Sequence, residues 1–274
     1  MTSILTNNGA MVALQTLNSI NMNLENTQNA ISTGKEVATA KDNSAIWAIS
    51  KVMESDVAGF NAVGDSLALG ESTVAVALAG AEQITDLLKE MKEKVVTATG
   101  ENVDSGKLKA EVDELKNQIK AIYKGSQFNG ANLLNSAGGD LTVLSSLDRD
   151  STGTVTASNI TVSSVNFEAS LVLTDVKVGT SAEADASISV IENLIQFAVD
   201  GAAALGASAA RIEKQAEFVS KVTDAMKSGI GALVDTDMEA ASARLKALQT
   251  QQQLGVQALS IANSAPQTLQ QLFR

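Results

Sequence analysis

Apolar residues recur along this chain at alternating steps of three and four over long stretches. From Phe60 the series Val63, Leu67, Gly70, Val74, Ala77, Ala81, Ile84, Leu88, Met91, Val95 and Ala98 is unbroken. A second series runs through Ile188, Ile191, Ile195, Ala198, Ala202, Leu205, Ala209, Ile212, Ala216, Val219, Thr223, Met226, Ile230 and Leu233, with Thr223 its one polar member. A 3.5-residue period held this long predicts coiled-coil-like helices. A shorter stripe, Leu108, Val112, Leu115, Ile119 and Ile122, predicts a third helix, its start marked by the Gly100–Gly106 stretch with Asp104 and Ser105 as candidate caps. Lys89–Glu93 and Glu90–Lys94 have the i,i+4 spacing of ion pairs on a solvated face. Thr180-x-x-Glu183 and Thr236-x-x-Glu239 read as capping boxes, which puts helix starts near 181 and 237.

Between about Phe128 and Gly179 the pattern changes. Gly, Asn, Ser and Thr become dense, and short β-branched alternations appear at Leu141-Thr-Val-Leu, Asn159-Ile-Thr-Val and Leu171-Val-Leu, predicting hairpins and turns. Each end of the chain adds one further heptad helix. The first passes through Ala13, Leu17, Ile20, Leu24, Thr27 and Ile31; the last through Ala241, Leu245, Leu248, Gln252, Gly255, Leu259 and Ala262. The expected fold is mainly α: a long antiparallel coiled-coil-like helical bundle with a small β-hairpin insert and paired N- and C-terminal helices.

The end helices are chemically alike. Residues 1–30 hold one charged side chain, Glu25, and nine amides; residues 245–274 hold two charges, Lys246 and Arg274, and again nine amides. Both also have apolar residues off the stripe, Met11 and Leu14 in the first and Leu254 and Ile261 in the last. Apolar side chains on more than one face call for neighbours on more than one face. Few charges keep the cost of enclosure low, so the ends read as surfaces for copies of the chain or for a partner. The expected subunit-packing residues are Met11, Leu14, Leu17, Ile20, Leu24, Ile31, Leu245, Leu248, Leu254, Leu259, Ile261, Leu269, Leu272 and Phe273. Pro266 is expected to kink or end the last helix.

Composition narrows the chemistry. The 274 residues include no His and no Cys, which removes the usual zinc, haem and iron–sulfur ligands and the Ser-His and Cys-His nucleophile pairs. A net charge of −11 disfavours nucleic acid and anionic membranes as partners. The longest uninterrupted apolar run, Val74 to Ala81, is too short to span a bilayer, and no basic residue precedes the first apolar ones as in a Sec signal. Asp148-x-Asp150-x-Thr152-Gly153 begins like a calcium loop, but Asn159 stands at its twelfth position, so a solvated turn is expected. Asp235-Thr236-Asp237 fits a helix junction, Gly229-Ile-Gly231 lies inside a helix without a phosphate-loop pattern, and Asn159-Ile-Thr161 is an incidental sequon. No cofactor and no catalytic constellation are expected.

Short motifs at both ends resemble the bacterial flagellins. They are Ile4-Leu5-Thr6-Asn7, Ala13-Leu14, Leu17-Asn18, Ala30-Ile31-Ser32-Thr33-Gly34 and Ala40-Lys41-Asp42-Asn43 near the start. Gln127-Phe128-Asn129-Gly130 follows, then Ala262-Asn263-x-x-Pro266-Gln267 and Leu272-Phe273-Arg274 at the close. The resemblance covers roughly residues 1–130 and 180–274. Departures are Leu5 for Asn, Ala30 for Arg, Asn43 for Asp and the bulky Ile46-Trp47 for a small pair. The segment that an innate immune receptor reads in the family falls at about Lys89–Val96, where Glu-Met-Lys-Glu-Lys replaces an Arg-rich pattern.

The resemblance implies a short flagellin without large outer domains. It would be a structural subunit exported unfolded by a type III apparatus with a chaperone, and polymerised outside the cell into the flagellar filament for motility. Residues 1–40 and 237–274 would form the inner filament core, and 41–236, including the 128–180 Ser/Thr-rich β insert, the outer helical layer. Its partners would be further copies, other flagellins, and the filament cap and hook-junction proteins. The alternatives are the hook–filament junction protein itself and a secreted helical translocator-like protein; an enzyme is not expected.

Overall fold

A computed structural model describes residues 7–136, 138–150 and 152–272, of which 265–272 are described by backbone alone. The elements are α1 (Asn8–Thr33), α2 (Ser44–Ala98), α3 (Ser105–Gly125), β1 (Leu141–Arg149), β2 (Val155–Val162), α4 (Phe167–Ser170), a 3₁₀ turn (Leu173–Asp175), α5 (Ser181–Val234) and α6 (Met238–Leu272). They form two compact units, Met1–Ser55 with Ala225–Arg274, and Asp56–Asp224. The boundaries fall inside α2 and α5, so both units draw on the long helices.

In the unit Asp56–Asp224 the stripe of α2 is the core: every member from Phe60 to Ala98 is buried. On the α5 stripe Ile191, Ala198, Leu205, Ile212, Val219 and Thr223 are buried, while Ile188, Ile195, Ala202, Ala209 and Ala216 are half-buried. Each fully buried Leu or Ile contributes about 1.5–3 kcal/mol, against about 1 kcal/mol or less for an exposed ion pair, so the stripes dominate. Ser181 Oγ donates to the Thr99 carbonyl (2.7 Å), placing the start of α5 at the end of α2, and Lys92 meets Glu192 further along, so the two run antiparallel.

Helix α3 starts at Asp104, whose carboxylate accepts from Lys107 N, and buries Leu108, Val112, Ile119 and Tyr123. Its last carbonyls are taken by buried Asn132, whose Nδ2 donates to Tyr123 O (2.8 Å) and Lys124 O (3.3 Å). Between them Asn129 (φ 48°) and Gly130 (φ 84°) make a two-residue turn closed by Phe128 and Ala131.

The expected hairpin is β1–β2, antiparallel, with a bulge at Ser145. The bulge carbonyl accepts from Gln215 Nε2 on α5 (2.9 Å), and Leu144 N donates to Ser66 Oγ on α2 (3.3 Å). Val143, Ile160 and Val162 turn inward. At the hairpin tip Asp150 Oδ1 accepts from Thr152 N, Thr152 Oγ1 and Thr154 N, so this carboxylate closes its own turn, while Asp148 belongs to β1 and pairs with Thr156. Arg149 forks onto Asp56 of α2 and also donates to Gly153 O.

Several local expectations change. Leu171-Val-Leu runs from the end of α4 into the 3₁₀ turn instead of forming a strand, because Phe167, fully buried and edge-on to Phe197 (5.5 Å), anchors a helical turn there. Lys89 pairs with Asp86, and Lys94 with Glu111 on α3, in place of the i,i+4 partners; Lys92 reaches Glu192 on α5. Lys92 and Lys94 thus link helices that a single-helix spacing rule cannot see. Thr180 Oγ1 accepts from Glu183 N (3.3 Å), as a cap should. At the other junction Asp237, not Thr236, caps α6, accepting from Glu239 N and Ala240 N. The backbone of α6 runs helically past Pro266 to Leu272. Finally, α2 and α5 each contain an 18-residue window apolar enough, by length and composition, to cross a membrane. Counting uninterrupted runs overlooks this, because the hydropathy comes from the heptad stripe plus intervening Ala and Gly.

Candidate functional site, an assembly surface on the end helices

The other unit, residues 1–55 with 225–274, is organised by α1 against α6. Asn7 caps α1 through Oδ1, which accepts from Ala10 N (3.1 Å), and its Nδ2 donates to Ala262 O (2.7 Å). One side chain thus ends α1 and ties it to the far end of α6, fixing an antiparallel pair. Gln252 Nε2 donates to Asn21 Oδ1 (2.7 Å) midway. A Cβ on Gly255 would stand 3.2 Å from Leu17 Cδ1, so the small residue lets the helices approach closely there. The amides therefore cross-link the helices without charge, and a neutral hydrogen bond tolerates enclosure far better than an ion pair.

The apolar residues sort into two sets. On the stripe, Leu248 is buried and Leu17, Ile20, Leu24, Ile31, Leu245 and Leu259 are half-buried. Off the stripe, Met11 is 57% exposed, Leu14 49%, Leu254 58% and Ile261 70%. The fold brings the first set together within one chain and leaves the second set outward. Leu269 and Leu272 lie on the α6 backbone with side chains outside the described residues, and Phe273 lies outside them altogether. Val12, Met22 and Val256 are exposed too and are additional to the expected set; their signal was only that they are apolar and off the stripe. Leu233, expected on the α5 stripe, is exposed.

The Ser-Thr-Gly and Ala-Lys-Asp-Asn motifs build the neighbouring junction. Gly34 (φ 70°) ends α1 in a left-handed cap, which only a residue without a Cβ adopts freely. Glu36 N then donates to Val234 O (2.7 Å) and Thr236 N to Gly34 O (3.0 Å), joining the α1–α2 loop to the α5–α6 turn over buried Val37 and Val234. Asp42 Oδ2 accepts from Thr39 N (2.8 Å), Thr39 Oγ1 (3.0 Å) and Ala38 N (3.2 Å), and Asn43 Oδ1 caps α2. The Thr39 bonds hold the Asp42 carboxyl below its ordinary range. Lys51 does the same for Glu54, with Lys35 adding a weaker attraction.

A cleft of about 520 Å³ opens at this junction, lined among others by Asn26, Lys35, Asp42, Thr236, Asp237 and Arg244. The Thr236 hydroxyl is buried and has no hydrogen-bond partner among the described residues. Also among the described residues, no group of three or more His, Cys, Asp or Glu is placed to hold a metal. What this unit presents is packing surface: two nearly uncharged helices with unused apolar faces beside a rigid junction.

The description of the bacterial flagellin N-terminal helical region matches residues 4–138, and that of the bacterial flagellin C-terminal helical region matches residues 188–273. The stretch between the matches holds the β hairpin, α4 and the 3₁₀ turn. The chain is 41% identical over 277 residues to flagellin FljK of Caulobacter vibrioides, covering 100% of this chain and 99% of that one. It is 42% identical over 282 residues to a flagellin of Brucella melitensis and 38% identical over 325 residues to flagellin C of Rhizobium meliloti, each with 100% of both chains covered.

Proposed function

The chain belongs to the bacterial flagellin family and is a structural subunit of the flagellar filament, and we propose that its two ends, 1–40 and 237–274, nearly uncharged over 1–30 and 245–274, build the inner core of that filament. Residues 41–236 form the surrounding layer. The observation that carries this is the outward set Met11, Leu14, Leu254 and Ile261, large apolar side chains about half exposed or more on helices with few charges. Contacts between unlike faces that do not close into a ring generate helical filaments.

The chain leaves the cell unfolded through a type III export apparatus with a chaperone and is incorporated outside it. It meets the filament cap and hook-junction proteins at the two ends of the filament. It performs no catalysis and takes no cofactor. Relatives matched along the whole length are flagellins, which favours a filament subunit over a junction protein or a translocator.

The test is seeded polymerisation of purified protein on filament fragments, followed by electron microscopy. Wild-type protein extends the seeds. Ile261→Glu puts a carboxylate on an exposed site, so the monomer keeps its helix content. It should raise the critical concentration at least about tenfold, the equivalent of about 1.4 kcal/mol per contact. A variant that incorporates as well as wild type contradicts the assignment of that face.

A further inference from the structure

Glu25 is the only charged side chain of α1, and Lys246 is the last charged one on α6 before Arg274. Both are exposed, and neither makes an ion pair with the other or with any described residue. Nearby Arg244 differs, since it lines the junction cleft together with Asp42 and Asp237. The Asn7–Ala262 and Asn21–Gln252 hydrogen bonds set the register of the pair, in which Glu25 and Lys246 stand at nearly the same height. At about 100° per residue, Glu25 shares its face of α1 with Leu14, Met11 and Met22. On the same basis Lys246 lies within about 80° of Leu254 and Ile261 on α6. Each helix thus turns outward a face that mixes large apolar residues with uncharged polar ones; on α1 Glu25 is its one charge, on α6 Lys246 is the charge nearest Leu254 and Ile261 with Glu239 seven residues before it, and Glu25 and Lys246 are opposite in sign.

We propose that Glu25 of one subunit pairs with Lys246 of the next, the outer face of α1 lying against the outer face of α6 of a second copy. A copy placed at the height that opposes these charges also sets Leu14 between Leu254 and Ile261 and brings Met11 beside Ile261, so one register satisfies both sets. An ion enclosed without its counter-ion is strongly unfavourable, and an assembly that encloses these faces offers each charge the other. The interface is head-to-tail, since each subunit gives a Glu25 on one side and a Lys246 on the other.

This rests on the filament-subunit assignment, and the experiment separates the two. Glu25→Lys and Lys246→Glu are made singly; both sites are exposed, and thermal unfolding of the monomers verifies that folding is unchanged. Each variant alone brings like charges together and should raise the critical concentration for seeded growth at least about tenfold, while their equimolar mixture returns it to within about twofold of wild type. A pair within one chain could not be repaired by mixing. In addition, Glu25→Cys mixed with Lys246→Cys, in a chain otherwise free of Cys, should give covalent dimers with a short bismaleimide once polymerised. Single reversals that polymerise like wild type, a mixture no better than its components, or filaments that yield no dimer overturn the pairing. Wild-type protein that fails to extend seeds defeats the filament assignment itself.

Discussion

Gly70 sits in the middle of α2, where a glycine ordinarily weakens a helix by about 1 kcal/mol relative to Ala. It is kept there by Val143 of β1: a Cβ on Gly70 would stand 2.5 Å from Val143 Cγ2. The stripe pattern places Gly70 correctly in the core, but nothing local to α2 says that its neighbour is a strand about seventy residues further on. The same limit applies to the polar residues. Thr236 and Asp237 both precede α6 and both could cap it, and only the backbone path decides for Asp237. Replacing Gly70 with Leu forces the hairpin off α2 and should lower stability by about 1–3 kcal/mol as overpacking does. It would be read as a lower denaturant midpoint of the full-length chain; an unchanged midpoint would show that the hairpin does not bear on α2 there.

Long helices were legible because a 3.5-residue period sustained over ten or more positions fits a helix with one buried stripe and does not fit a strand, whose period is two. Short elements were not. A three-residue alternation such as Leu171-Val-Leu fits a strand or a turn equally well, and the deciding contact, Phe167 on Phe197, is tertiary. At this scale the loops and helix faces are held by hydrogen-bonded carboxylates. Asp42 is held by Thr39, Glu54 by Lys51, Asp150 by Thr152, Glu168 by Ser136 and Glu217 by Lys221, and each lies below its ordinary value. A carboxyl depressed in the folded state binds its proton more tightly when unfolded. Its contribution is complete above the ordinary values of 3.8 for Asp and 4.5 for Glu, and is lost as pH falls through the lower folded values. Four of the five are exposed and Glu54 is half-buried at the surface, so each effect is small and screened by salt. The thermal midpoint is expected to hold from about pH 7 to 5 and to fall progressively below about pH 4; a midpoint that rises on acidification contradicts this.

For the whole molecule the informative feature is where charge is missing. The absence of His and Cys only removes chemistries, whereas the near-absence of charge in the terminal thirties marks surface suited to enclosure. The candidate surface was legible to that extent, down to the outward Met11, Leu14, Leu254 and Ile261. Which stripe residues one chain satisfies by itself was not, because an intramolecular seam and a seam between copies have the same heptad signature. Methionine sulfurs report the difference directly. Met11 and Met22 are 57% and 60% exposed at one end, while Met91 in the α2 core is fully buried. Oxidation by hydrogen peroxide follows exposure and can be followed residue by residue by mass spectrometry in monomer and in filament. Enclosure of the ends predicts that Met11 and Met22 oxidise readily in the monomer and become nearly as resistant as Met91 once polymerised. Met11 and Met22 that oxidise as fast in filaments as in monomer would contradict it.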